Sequence, residues 1–165
     1  MIDGGDWHTC AVAGTGGAYC WGYGAFGQLG RGSTAGSTSP VAVSLGTEDL
    51  QRIAAASYYI GHTCGQRSTG ELACWGYNAQ GQVGDESTSQ RNAPTRSHHT
   101  EAAAYFGDPD LAAARTTITA GYYQSLAVHA GGAASGWGYG ANGRLGNGRN
   151  SNTSRPTRVA VDVRQ

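Results

Sequence analysis

Residues 21–30 read Trp21-Gly22-Tyr23-Gly24-Ala25-Phe26-Gly27-Gln28-Leu29-Gly30, and the phrase returns at Trp75–Gly84 and at Trp137–Gly146. Laid over one another, the three copies read W-G-Y-[GN]-A-x-G-[QR]-[LV]-G. A proline stands ten residues beyond the last glycine of each: Pro40, Pro94 and Pro156. A chain that repeats itself at this period is an array of one small supersecondary unit. The Trp-to-Pro distance is 19 residues in every unit, so that half takes no insertion.

Working outward, a hairpin precedes each Trp. In the first unit His8–Val12 alternates in polarity, residues 13–17 turn, and Ala18–Trp21 returns. The second unit has His62–Gln66, a turn at Ser68–Gly70 and Leu72–Trp75; the third has Gln124–Val128, Gly131-Gly132 and Ala134–Trp137. Two alternating runs around a Gly-containing turn predict antiparallel strands. A further strand is expected after each proline, from Val41 and Val43 or Val159 and Val161, with Pro at its start on an outer edge. The chain is read as one domain over 1–165, with repeats at about 1–45, 46–96 and 115–165 and an insert at about 97–114. That insert has room for two short helical turns, Glu101–Phe106 and one opening at Asp108-Pro109.

Glycine accounts for 28 of the 165 residues, more than twice the ordinary share of roughly 7%. The glycines sit at fixed offsets from aromatic residues, the pattern of many short strands joined by tight turns. Eleven basic residues, all arginine, balance eleven acidic ones. Zero net charge offers no electrostatic case for nucleic acid or an anionic membrane surface as partner. No apolar run approaches the ~18 residues of a membrane span. Met1–Asp6 has neither a basic nor an apolar stretch and is not read as a signal peptide.

The sequence His-Thr-Cys at 8–10 and 62–64, Cys-Trp-Gly-Tyr at 20–23 and 74–77, and Gly-Gln-Leu-Gly at 27–30 resembles the repeat of the regulator of chromosome condensation type, the RCC1-like family. The resemblance covers essentially the whole chain. It implies an all-β fold of propeller blades, which in that family usually number seven and sometimes six. Three blades cannot close a ring, and an open arc exposes blade faces and a strand edge. The chain is read as starting partway through a unit, at the His8 strand. Two arrangements follow: part of a longer propeller, or half of a six-bladed ring closed by a second copy. In the second, the Val159–Val161 strand of one chain fills the incomplete first blade of the other.

Cys10 and Cys20 are ten residues apart, as are Cys64 and Cys74. In a hairpin centred near Thr15 the members of such a pair lie directly opposite, within disulfide reach. At the equivalent third-unit positions stand Leu126 and Gly136, so both cysteines are absent together, as a bonded pair requires. Two disulfides within the blades are therefore expected, and they point to an extracellular or cell-surface setting. A metal site is not expected, because His8, Cys10 and Cys20 supply three ligands where structural zinc takes four. His98-His99 and His129 are read as unremarkable loop residues, and Glu48-Asp49 and Asp85-Glu86 as solvated turns.

Each unit places aromatic residues just ahead of the His position: Trp7, then Tyr58 and Tyr59, then Tyr122 and Tyr123. The resemblance puts this loop on one rim of the propeller, where aromatic residues of some relatives contact a protein. Trp and Tyr are also the types that dominate interface hot spots. These five are the candidate partner-binding residues, whereas Tyr23, Tyr77 and Tyr139, identical in every unit, are read as structural. No nucleophile elbow, zincin motif or P-loop is present, so no catalytic residue and no cofactor is assigned. The function read from the sequence is a non-catalytic protein-binding scaffold, secreted or surface-exposed, whose partner is another protein or a second copy. The alternatives are a structural subunit that self-assembles by blade packing and strand exchange, and an enzyme with its site at a ring centre.

Overall fold

A computed structural model describes residues 1–98, 117–129 and 132–160. They form three four-stranded antiparallel sheets, each a meander in chain order. The first holds β1 (Ile2–Gly4), β2 (His8–Val12), β3 (Ala18–Gly22) and β4 (Ser37–Ala42). The second holds β5 (Leu50–Ala55), β6 (His62–Arg67), β7 (Leu72–Gly76) and β8 (Arg91–Arg96). The third holds β9 (Thr117–Ala120), β10 (Gln124–Val128), β11 (Ala134–Gly138) and β12 (Thr153–Arg158). This is the all-β, blade-like architecture expected. The helical turns expected at Glu101–Phe106 and Asp108-Pro109 lie outside the described residues, as do His99 and Val161.

The central hairpins follow from alternation. In β2 the side chains of His8, Cys10 and Val12 are buried while Thr9 and Ala11 face the other way. At the end of β3, β7 and β11 sits a glycine with φ near +100°: Gly22, Gly76 and Gly138. A Cβ on Gly22 would lie 2.5 Å from the Trp7 carbonyl oxygen, so only glycine fits. At the same place the ladder to the outer strand slips register, between Cys20 and Gly22, Cys74 and Gly76, and Gly136 and Gly138. This bulge turns the chain out of the sheet and into the loop of the repeated phrase.

Two expectations are corrected. The first concerns the strand after each proline: Pro40, Pro94 and Pro156 are the fourth residues of six-residue strands rather than their starts. The prolines are tolerated there because β4, β8 and β12 are the last strands of their sheets, where a missing donor can face outward. Val43 and Val159 still donate backbone bonds, to Ala18 and Ala134, just past the strand ends. The second concerns the start of the first unit. Ile2, Asp3 and Gly4 pair with Ala11, Cys10 and Thr9, so the first sheet is four-stranded and has no gap for an exchanged strand to fill.

Both cysteine pairs are bonded, Cys10 to Cys20 and Cys64 to Cys74, with Cα atoms 4.1 Å apart in each. They stand opposite one another in their ladders, as Leu126 and Gly136 do in the third sheet. The disulfides lie at the joints between sheets. Cys10, Cys20, Val12 and Leu29 of the first sheet pack with Ile53, Leu50 and Trp75 of the second. Cys64, Cys74 and Val83 of the second pack with Ile118, Ala127 and Trp137 of the third.

A polar clasp runs through each joint. The Thr63 hydroxyl donates to the Gln28 carbonyl oxygen at 2.8 Å, and the Trp75 indole N–H donates to the same oxygen at 2.9 Å. With its one proton committed, Thr63 Oγ1 accepts from His8 Nε2 at 2.9 Å, which fixes the neutral Nε2–H tautomer. The next joint repeats this: Ser125 and Trp137 donate to the Gln82 carbonyl oxygen at 2.9 and 2.8 Å, and His62 Nε2 lies 2.8 Å from Ser125 Oγ. Burial disfavours the charged imidazole. It lowers the His8 pKa to about 4, against the pull of Asp3, and lowers that of His62 to about 3, with further help from the charge on His8.

Candidate functional site

The ladder positions the rim. Because His8 pairs with Gly22, the residues one step beyond, Trp7 and Tyr23, face each other, and the Tyr23 N–H donates to the Trp7 carbonyl at 2.7 Å. Their rings meet edge to face at 6.0 Å. The same step at the third sheet sets Tyr123 against Tyr139, with a 2.9 Å backbone bond and ring centroids 6.1 Å apart. In the second sheet Tyr77 donates to the Gly61 carbonyl, and the aromatic pair Tyr58 and Tyr59 occupies the tight segment before it.

These local pairs join across the sheets into one strip. Phe26, from the first repeated phrase, lies 6.3 Å from Tyr59 and 5.5 Å from Tyr77 of the second sheet. Trp7 touches Tyr59 edge-on at 6.4 Å. Tyr58 lies against Tyr122 at 3.9 Å, and Tyr77 reaches Tyr123 at 6.0 Å. At the far end the Arg144 guanidinium sits 4.7 Å above the Tyr139 ring, a cation–π contact. All five aromatic residues singled out from the sequence are therefore in one contiguous surface.

Within the strip, exposed rings rest on half-buried ones. Trp7 is 57% exposed, Tyr122 43% and Tyr59 42%, while Tyr58, Tyr77, Phe26 and Tyr123 lie half-buried beneath them. A hydrogen bond to Tyr58 is the largest influence pushing the Tyr122 phenol up to about 12, and desolvation raises that of Tyr123. Tyr122 and Tyr123 are thus uncharged at neutral pH, and the rings of the strip are preorganised by one another. A groove of about 930 Å³ runs beside Trp7, Trp21 and Tyr23, with Thr34 and Thr38 on its other wall.

Tyr23, Tyr77 and Tyr139 are part of this strip, although the sequence reading set them aside as structural. The signal that finds them is register: a Tyr directly after the bulge glycine must oppose the residue just before the His strand. The clasp also reaches the rim, since the Gln28 side chain donates to the Tyr59 carbonyl at 3.2 Å and accepts from the Phe26 N–H at 3.0 Å.

Other candidates take quieter places. His8 and His62 are buried and tied in the joints. His129 is buried too, 3.0 Å from Ser135 Oγ, with its pKa lowered by desolvation. His98 is exposed, 3.8 Å from Glu86. Asp85 corrects the reading of a solvated turn. It is 8% exposed and accepts from Arg91 Nε at 2.6 Å, Ser87 Oγ at 2.8 Å and Asn78 at 3.2 Å. Burial acts to raise its pKa, but the bonds from Ser87 and Arg91 and the charge on Arg91 outweigh it and hold the carboxyl below its usual range. Asn78, where the other two phrases have Gly24 and Gly140, anchors this loop by also bonding the Ser87 and Ser89 carbonyls and the Val83 N–H. Glu48 pairs with Arg67.

The model of the regulator of chromosome condensation (RCC1) repeat matches residues 15–66. An RCC1-like repeat therefore lies at residues 15–66. Over 94 residues the chain is 34% identical to the ultraviolet-B receptor UVR8 of Arabidopsis thaliana, a match covering 57% of this chain and 21% of that receptor. Prp20p of Saccharomyces cerevisiae, whose structure was described with its binding properties to Gsp1p and histones, superposes with a TM-score of 0.75 at 23% identity. That superposition covers 98% of this chain and 38% of Prp20p. Human WBSCR16 superposes with a TM-score of 0.56 at 20% identity, covering 98% of this chain and 52% of its own. The chain thus spans about a fifth of the receptor it matches and less than two-fifths of Prp20p. The three sheets are RCC1-type propeller blades, with Trp75 and Trp137 as the keystones of the joints.

Proposed function

We propose that these blades form a protein-binding scaffold whose contact surface is the aromatic strip from Trp7 to Tyr139. The observation that carries this reading is the continuity of the strip across three blades: exposed Trp and Tyr rings, held by ring-to-ring contact, offer large contact area at little cost in side-chain entropy. That Prp20p binds Gsp1p and histones supports protein as the class of partner. The scaffold works in an oxidising setting, secreted or at the cell surface. Two buried disulfides inside the blade joints support that placement.

The experiment is crosslinking of the native protein in its source cells and medium, identification of the crosslinked polypeptide, and titration with that polypeptide purified. The variant carrying Trp7→Ala, Tyr59→Ala and Tyr122→Ala is expected to keep its circular dichroism and lose at least about 100-fold in affinity. Unchanged affinity, or crosslinks mapping away from the strip, sinks the proposal. Four free thiols in the protein as isolated from its source would sink the placement.

A further inference from the structure

Four rings of the strip close on one another. Between ring centroids, Trp7 lies 6.0 Å from Tyr23, Tyr23 6.2 Å from Phe26, Phe26 6.3 Å from Tyr59, and Tyr59 6.4 Å from Trp7. Neighbouring planes are inclined by 58° to 69°, so the rings are the walls of a box rather than a stack. The middle of such a quadrilateral lies roughly 4–4.5 Å from every centroid, inside the ~6 Å over which a cation is drawn to a ring face. Trp7, Tyr23 and Tyr59 are exposed and Phe26 is half-buried. The first and second sheets supply every wall, so the box belongs to a joint that this chain completes itself.

The repeat does not require these rings. At the next joint the positions of Trp7, Phe26 and Tyr59 hold Gly61, Gln80 and Gly121, and only Tyr77, the counterpart of Tyr23, is aromatic. That joint still closes through His62, Ser125, Trp137 and the Gln82 carbonyl. Joining two sheets therefore does not call for a box.

The third sheet indicates what the rings take. There the Arg144 guanidinium sits 4.7 Å from the centre of Tyr139, the counterpart of Tyr23. The first phrase has Gln28 at the Arg144 position, and its amide is committed to the Tyr59 carbonyl. Tyr23 receives no cation from that position, and Trp7, Phe26 and Tyr59 stand around it instead. A guanidinium or primary ammonium carries N–H groups that need acceptors once desolvated, as Arg144 Nε finds the Ala141 carbonyl at 2.9 Å. At the box the Trp7 and Tyr59 carbonyls already accept, from the Tyr23 N–H and from Gln28. A quaternary ammonium has no N–H to satisfy, and aromatic faces alone hold it.

We infer that this box binds a trimethylammonium group of the choline type, free or as the headgroup of phosphatidylcholine. It lies within the strip but needs no protein partner.

Titration of the 165-residue chain with choline chloride, followed by the proton resonance of the choline methyl groups, reads the site directly. Methyl groups held over ring faces are expected to shift upfield and to saturate with a dissociation constant of about a millimolar or tighter. 3,3-Dimethyl-1-butanol, with carbon in place of the charged nitrogen, should bind at least about tenfold more weakly. Trp7→Ala and Tyr59→Ala, both at exposed positions, should each weaken choline by at least about tenfold, whereas Tyr59→Phe keeps its wall and should stay within about twofold. Tyr19→Ala removes an exposed ring outside the box and should change nothing. Phosphatidylcholine vesicles separate the two sources: co-sedimentation that choline displaces assigns the headgroup, and binding of choline without it assigns the free compound. No saturable shift up to about 50 mM choline overturns the inference, as does equal binding of the neutral alcohol or binding that survives both alanine variants. No protein partner enters the titration, so such a result leaves the scaffold reading to its own test.

Discussion

His8 Nε2 lies 2.9 Å from the hydroxyl oxygen of Thr63, a residue 55 positions later in the chain, in the buried seam between two blades. His62 stands in the same relation to Ser125. Both rings are neutral, and the unfolded chain binds protons that the folded one refuses. Folded pKa values of about 4 and 3 lie below the ordinary imidazole value of 6.5, so stability rises with pH in this window. The stabilisation is complete above pH 6.5 and is lost progressively as pH falls toward 4 and below. Urea melts between pH 8 and 4 should show a loss on the order of a few kcal/mol. The double variant His8→Gln and His62→Gln should flatten that profile; Gln124 already occupies the equivalent position in the third blade.

Reduction should destabilise without first opening the native state. Both disulfides are fully buried, so thiols become available only on unfolding. Each bond closes a hairpin loop of ten-residue separation, a constraint worth roughly 2–3 kcal/mol on the chain-entropy model. Thermal melts with and without reductant should differ accordingly, while native-state reduction stays slow at neutral pH.

The three phrase tryptophans should be unequal. Trp75 and Trp137 fill joints and bond to main-chain carbonyls. Trp75→Ala should cost about 3–5 kcal/mol, the range for emptying a large aromatic site. Trp21→Ala should cost less, because the ring is only partly buried. Denaturant midpoints of the two variants measure the contrast.

Asp85→Ala should loosen the second blade's loop. It strips partners from Arg91, Ser87 and Asn78 together. A loss of about 1–3 kcal/mol is expected for such unsatisfied buried groups, with faster amide exchange across residues 85–91 as the local readout.

The blades were legible because the repeated phrase is the packing itself: Trp75 and Trp137 are conspicuous in the sequence and sit at the joints. The disulfides were legible for a related reason, since a hairpin that places Cys10 opposite Cys20 also places Leu126 opposite Gly136. The inner strands were not. Ile2–Gly4 and Thr117–Ala120 are three and four residues long, too short to announce themselves, and Leu50–Ala55 buries three successive residues rather than alternating. The outer strands were displaced in the reading because Pro40, Pro94 and Pro156 suggested starts, whereas an edge tolerates proline within. On the rim, Trp7, Tyr58, Tyr59, Tyr122 and Tyr123 stood out by type. The part played by Tyr23, Tyr77 and Tyr139 is a matter of cross-strand partners, which no single strand of text displays.

In every joint the oxygen that receives the indole belongs to the backbone. Whatever amino acid carries that oxygen is consequently free to use its side chain for something other than this bond. Gln28 spends its side chain steadying a neighbour's loop, and Arg144 lays its own across a tyrosine. A lineage built on this design can rewrite its outer rim one blade at a time while the seams beneath stay the same.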